Sequence, residues 1–331
     1  MKKITQMMAF LAISAAVISC SDSSLVDSEL NSSSSNKNAK ESAEGRQCAS
    51  MDVLKKNMED DPELEKKMND IETHTKEYEK KLKNGRVGAT GTLTIPVVVN
   101  VLYSNTNENI SQAQIQSQID VMNKDFSATN ADFSSVPSAF AGVKSNLELQ
   151  FTLVNVVRKS STKTSWGTAD AMKKTSKGGI APTSPTTTLN LWVCNIGGGI
   201  LGYAQFPGGL SATDGVVIGP QYFGNTGFVS APYDKGRTAT HEVGHWLNLR
   251  HIWGDASCGN DLVSDTPTQQ TSNFGCPSFP HTTCSNGANG DMFMNYMDYT
   301  NDLCMFMFSA GQKTRTRAIF ATGGARASFN P

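Results

Sequence analysis

The sequence predicts an α+β domain: a twisted mixed sheet with one helix that carries the chemistry, then an irregular half tied by cysteines. Three observations predict it. Apolar, β-branched runs at 93–103, 147–156 and 189–194 alternate with helix signals. Three of the chain's five histidines fall between His241 and His251. Cys258, Cys276, Cys284 and Cys304 then follow in a loop-rich stretch.

The elements follow in chain order. Lys2 and Lys3 precede an apolar run, Met7 to Ile18, too short for a permanent membrane span. It ends in Val17-Ile18-Ser19-Cys20, so residues 1–19 read as a bacterial lipoprotein signal with Cys20 as the acylated residue. The alternative is ordinary signal-peptidase cleavage near Ala15-Ala16. Residues 20–44 are polar and Ser/Asn-rich, a tether rather than a folded unit. Residues 45–85 read as a helical segment. Asp61-Pro62-Glu63 supplies a capping acid, a proline and a second acid, and Leu64, Met68, Ile71, Tyr78 and Leu82 follow at helical spacing, with Thr75 filling the gap. The basic, glycine-bearing stretch from Lys81 through Arg86 to Gly91 reads as an exposed cleavage site.

The main domain, 86–331, opens with Leu93–Tyr103, a β-branched run suited to a central strand after Pro96. A helix follows, with Ser111 as cap and Ile115, Ile119 and Met122 on its buried face. Leu147–Val156 and Leu189–Cys194 read as strands, and Asp214–Tyr222 as another short one. The glycine run at Gly197 is not a phosphate loop, because no Gly-Lys-Ser/Thr follows it. A helix then starts near Thr238 or Thr240. An N-terminal subdomain to about residue 251 and a C-terminal one from 252 complete the plan.

The histidine window dictates chemistry. Residues four apart on a helix stack on one face, so the imidazoles of His241 and His245 can converge on one cation. His251 lies too far along a continuous helix to join them, so the helix must end near Asn248 and the chain turn back. Three nitrogens and a water make the open geometry of catalytic zinc, whereas structural zinc takes four protein ligands. Glu242 stands beside the first ligand, within reach of such a water, as its general base.

His241-Glu242-Val243-Gly244-His245, with His251 beyond, resembles the metzincin metallopeptidase motif. Asn248 stands at the glycine position, and asparagine is the side chain that best tolerates the positive φ needed there. With Asn295-Tyr296-Met297-Asp298-Tyr299, the chain resembles the pappalysin branch, over roughly residues 95–320. The resemblance implies a zincin fold and a zinc-dependent endopeptidase. It implies that Met297 forms the methionine turn beneath the imidazoles and that Tyr299 steadies the oxyanion. In the implied mechanism Glu242 takes the proton of the attacking water and passes it to the leaving amine. Gly202, Tyr203 and Ala204 would be an edge strand that pairs with extended substrate. Asp302 would favour Arg or Lys after the scissile bond; its alternative is a solvated loop acid. On that preference, the enzyme would cut its own chain before Arg86, and N-terminal sequencing of matured protein checks this.

Four cysteines in an exported chain read as two disulfides, and sequence alone allows any of three pairings. The resemblance implies the interleaved one, Cys258–Cys284 and Cys276–Cys304. Cys194, in an apolar strand, reads as a buried free thiol. Arg46-Gln47-Cys48 makes residues 45–85 resemble a latency pro-segment whose Cys48 thiolate ligates the zinc; a stray thiol or a partner for Cys194 is the other reading. Asp255, Asp261, Asp265 and Thr266 offer hard oxygen ligands, and relatives carry calcium near this region, although aspartates are also common turn residues.

A net charge of −1 argues against nucleic acid as a partner. The expected partners are protein or peptide substrates, with membrane attachment only through the lipid anchor and a monomer once mature. The expected place is the outer membrane or cell surface, with release as a secreted enzyme. Two other classes stay open on sequence: a zinc-bearing, non-proteolytic surface binding protein, and a zinc hydrolase of non-peptide amides or esters.

Overall fold

The computed structural model describes residues 45–85 and 91–329. The signal run, Cys20, the tether and Arg86 lie outside them. Among the described residues no helix is long and apolar enough to cross a membrane.

Two helices come first, α1 (Ser50–Asp60) and α2 (Glu63–Lys83). Asp61 links them, its carboxylate accepting from the Glu63 amide at 3.1 Å. Leu64, Met68, Ile71, Thr75 and Tyr78 are the buried face of α2, and the Thr75 hydroxyl donates to the Ile71 carbonyl at 2.8 Å. Leu82 departs from the expected stripe: it is 39% exposed, because the last turn of α2 is exposed all round. That turn has nothing to pack against.

The sheet is built from β1 (Leu93–Tyr103), β3 (Leu149–Ser160), β4 (Leu189–Val193), β5 (Gly202–Ala204) and β6 (Val216–Ile218), in the order β3-β1-β4-β6-β5. The first four are parallel and β5 alone runs antiparallel, at the edge, against β6. Parallel strands covered on both faces read as continuous apolar runs, and Val97–Leu102 shows why, with only Asn100 polar among six buried residues. The predicted strand 214–222 shrinks to three residues, because Pro220–Tyr222 forms a 3₁₀ turn.

Helix α3 (Gln112–Phe126) is capped as expected, the Ser111 hydroxyl accepting from the Gln114 amide at 3.1 Å. It buries Ile115, Ile119 and Met122 between the sheet and helix α4 (Arg237–Trp246). Beyond α4 the chain is irregular until a two-stranded ribbon, β2 (Lys144–Ser145) with β7 (Phe308–Ser309), and helix α5 (Ala310–Ala318). A capping box between Ser309 and Gln312 starts α5. The disulfides Cys258–Cys284 and Cys276–Cys304 close this half in the interleaved pairing, and Cys194 is buried and free.

Candidate active site

Helix α4 begins at Arg237 after Gly236, whose φ of 78° a side chain would strain. Neither threonine caps it. The Thr240 hydroxyl donates to Asp125 at 2.8 Å, and Thr238 accepts from Arg46 at 3.1 Å. The cap comes instead from Asp302, which accepts from the Lys235 and Arg237 amides at 2.8 and 3.2 Å. A carboxylate there also complements the helix dipole.

Asn248 turns the chain after α4 with φ 74°, and its carbonyl accepts from Arg315 Nε at 2.6 Å. His251 thereby returns to the other two rings. His245 Nε2 lies 3.2 Å from His241 Nε2 and 3.1 Å from His251 Nε2. Nitrogens around a zinc with bonds of about 2.0–2.1 Å would stand about 3.3–3.4 Å apart, so the spacing suits that ion. The other ring nitrogens are engaged: His241 Nδ1 with the Tyr296 carbonyl (2.7 Å), His245 Nδ1 with that of Leu249 (2.8 Å), and His251 Nδ1 with Asp255 (2.5 Å). Donation through Nδ1 leaves each Nε2 lone pair facing the centre. Burial and the adjoining imidazoles hold His241 and His245 well below the usual histidine range, hence neutral, as ligands must be.

The surroundings lock this geometry. His251 stacks on Trp253 with centroids 4.4 Å apart. Met297 lies under α4, so close to Gly244 that a Cβ there would fall 2.4 Å from the sulfur. Glu242 is buried beside the rings, and burial pushes it up to about 7 against hydrogen bonds from Ser50 and Cys48. Gly202 of β5 faces it, and a Cβ there would stand 2.9 Å from Glu242 Cγ.

Residues 46–50 occupy this cleft. Cys48 and the three histidines place four ligand atoms within 4.8 Å of one another. Its thiol, pushed up by burial and by Glu242, donates to Glu242 at 3.2 Å. Ser50, which sequence reasoning missed, donates to the same Glu242 oxygen at 2.8 Å and accepts from the Ala204 amide at 2.8 Å. The Ala49 amide bonds the Gly202 carbonyl (3.1 Å) and the Leu201 amide that of Gln47 (2.9 Å), so the segment pairs with the β5 edge. The Tyr299 hydroxyl lies 3.4 Å from the Cys48 carbonyl. Arg46 enters a buried pocket, where it pairs with Asp302 at 2.5 Å and lies over the Tyr233 ring at 4.8 Å. Asp302 is therefore a buried pocket acid, not a solvated one.

Gly202 and Ala204 present backbone to this edge, whereas the Tyr203 side chain is buried on the opposite side of β5, bonded to Asp170 at 2.9 Å. The aspartates beyond His251 disperse. Asp255 belongs to His251, and Asp265 is taken up by the start of α5, accepting from Ser309 Oγ (2.6 Å) and the Gly311 amide (2.7 Å). Asp261 and Thr266 do meet: Thr266 Oγ1 lies 2.9 Å from both carboxylate oxygens of Asp261 and from the Val263 carbonyl.

Known proteins resemble this chain in sequence and fold. Residues 190–321 match the peptidase family model described as pregnancy-associated plasma protein-A. An extracellular metalloprotease of Arthroderma benhamiae is 35% identical over 233 residues, 68% of this chain and 77% of that protein. Mature mirolysin of Tannerella forsythia, solved with a cleaved peptide, is 47% identical with a TM-score of 0.71, covering 73% of this chain and 96% of that one. A mutant of its precursor, promirolysin, is 43% identical with a TM-score of 0.78, covering 86% and 97%. With three inward-facing imidazoles, a buried glutamate and relatives of this kind, the chain belongs to the pappalysin family and is a metalloprotease.

Proposed function

We propose that the chain is a zinc endopeptidase made in latent form, with Glu242 as general base and a preference for Arg or Lys after the scissile bond. The observation that carries this is the seating of Arg46, Cys48 and Ser50 at the pocket, the ligand cluster and the base together. Residues 1–19 are then the signal, 20–44 the tether, 45–85 the pro-segment and 86–331 the catalytic domain. The promirolysin relative supports the latent form.

His241, His245 and His251 would hold the zinc, with Cys48 as fourth ligand in the latent chain. Zinc supplies Lewis acidity there, acidifying a water and polarising the scissile carbonyl. Glu242 takes the proton of the attacking water and hands it to the leaving amine. The Tyr299 hydroxyl, already directed at a main-chain carbonyl of the bound segment, donates to the oxyanion. The free groups of the β5 edge hold the substrate extended. A casein gel with and without a zinc chelator tests the activity; clearing that persists under chelation would refute zinc dependence.

Asp255 orients the third ligand through its bond to His251 Nδ1. Asp255→Asn is expected to weaken zinc binding about 10–100-fold, measured by competition with a chromogenic chelator. An unchanged affinity removes Asp255 from this account.

Latency has a second latch in Ser50. In the full chain Cys48→Ala is expected to speed self-processing, and Ser50→Ala to speed it further in the double variant, because Glu242 then loses its last donor. A gel time course reads this; a Cys48→Ala chain that stays intact like the parent contradicts the switch.

Calcium is proposed at Asp261, Val263 and Thr266. Thr266 has one hydroxyl proton for three crowded acceptors and the Val263 amide serves only Asp261 Oδ1, so a hard cation suits the oxygens left over. Asp265 is left out, its carboxylate being used by α5. A calcium chelator is expected to lower the unfolding temperature of the parent and not of Asp261→Asn; equal responses contradict the site.

Relatives named extracellular support export. Anchoring through Cys20 predicts that Cys20→Ala moves the protein from the membrane fraction to the soluble one.

A further inference from the structure

The proposed substrate-pairing strand β5 is only three residues long, and its one sheet neighbour is β6. One further backbone bond flanks the pairing at each end, Gln205 N to the Gly215 carbonyl (3.0 Å) and Gly219 N to that of Leu201 (2.9 Å). One side of β5 presents Gly202 to Glu242 and its outer edge carries residues 47–50. Side-chain bonds that add to this backbone pairing lie on the other side, where the fully buried Tyr203 points.

Tyr203 meets an ionic network inside an apolar layer. Its hydroxyl donates to Asp170 Oδ1 at 2.9 Å, and the Lys173 ammonium lies 2.9 Å from the same oxygen. Lys173 also donates to the Thr213 carbonyl at 2.7 Å and sits 5.1 and 5.3 Å from the ring centroids of Tyr203 and Trp192. Thr213 in turn donates to Gln205, the residue after β5, at 2.7 Å. Lys173 therefore reaches β5 twice, through Asp170 to its middle and through Thr213 to its end. Asp170 adopts φ 58°, a conformation that a non-glycine residue takes at a cost. A buried ion pair is a poor source of stability, since apolar residues of similar volume often do as well. What directional bonds supply beyond apolar packing is a defined position.

We infer that Asp170 and Lys173 are positioning residues: through Tyr203 and Thr213 they fix the β5 edge against Glu242, and with it the alignment of a peptide laid along that edge. This rests on the proposed reading that the edge pairs with substrate.

The test uses the full chain after activation. Tyr203→Phe removes one hydroxyl and keeps the ring. It is expected to raise KM about tenfold for a peptide long enough to lie along β5, with kcat and the unfolding temperature little changed, the signature of lost uniform binding. Asp170→Asn with Lys173→Met is expected to act in the same direction, and adding Tyr203→Phe to that pair to add little, since the three act as one unit. Unchanged KM in Tyr203→Phe, or losses that only track unfolding temperature, would overturn the inference; should the charge-neutral pair fail to fold, Tyr203→Phe decides alone. Ala204→Pro, which deletes an outer-edge amide, separates the two levels. An unchanged KM there overturns the edge reading itself, whereas a raised KM beside a normal Tyr203→Phe overturns only the network.

Discussion

Glu242→Ala is expected to lose roughly 10²–10⁴-fold in kcat on peptides while keeping its fold and the proposed zinc. The carboxylate lies wholly within the cleft, facing Gly202 across a gap that would not admit a Cβ. Among the described residues the neighbouring carboxylates are engaged elsewhere: Asp255 with His251, and Asp302 with Arg46 and the start of α4. The ligands are separate residues with their own second partners, so the metal stays. Burial makes the same case for the base. A carboxyl pushed up to about 7 takes a proton more readily than an ordinary one near 4. The substitution also removes the acceptor for Cys48 and Ser50, so the latent chain should hold its segment less tightly. Loss of activity together with loss of zinc would assign Glu242 a structural role instead.

Asp302→Asn has the second largest effect, and it acts on two states. In the latent chain it removes the charge opposite Arg46, both side chains being almost wholly buried. Removing one partner of a buried, hydrogen-bonded charge pair costs about 2–5 kcal/mol, which converts to roughly 30- to 4,000-fold. The pro-segment should therefore be held less tightly, while its cleavage before Arg86 should slow with that of other Arg peptides. On the proposed preference, the same pocket would receive a basic side chain from the substrate in the active enzyme. Its kcat/KM should fall by about 10²–10³ for peptides with Arg at that place, and much less for those with an apolar residue there. Asparagine keeps an acceptor for the Lys235 and Arg237 amides, so the start of α4 survives. An equal loss on basic and apolar peptides would show that Asp302 serves only as the helix cap.

The part of this legible in the sequence is the part set by local spacing. Two histidines on one helical turn, an asparagine tolerant of positive φ and a third histidine define a ligand set before any fold is known. The interior strands were legible for a similar reason, since β1 and β4 are covered on both faces and carry apolar runs interrupted in the buried part only by Asn100 and Asn190. The start of α4 was legible to within a residue but its cap was not, because Asp302 arrives from 65 positions away along the chain. The Ser50–Glu242 bond spans 192 positions, and no local signal marks such a pair. Helix α5 was missed although Ser309 and Gln312 form a capping box, because its body, Gly311 to Arg317, is too polar to show a stripe. Asp265 misled as a metal ligand because a loop aspartate looks the same whether it meets a cation or a helix start.

The most direct test of the central claim is cleavage of a proteome-derived peptide library by the activated, zinc-loaded protein beside Glu242→Ala. The expected cuts vanish in the variant and in chelator, with Arg or Lys following the broken bond. Intact peptides, from protein that is folded and holds one zinc, would contradict it.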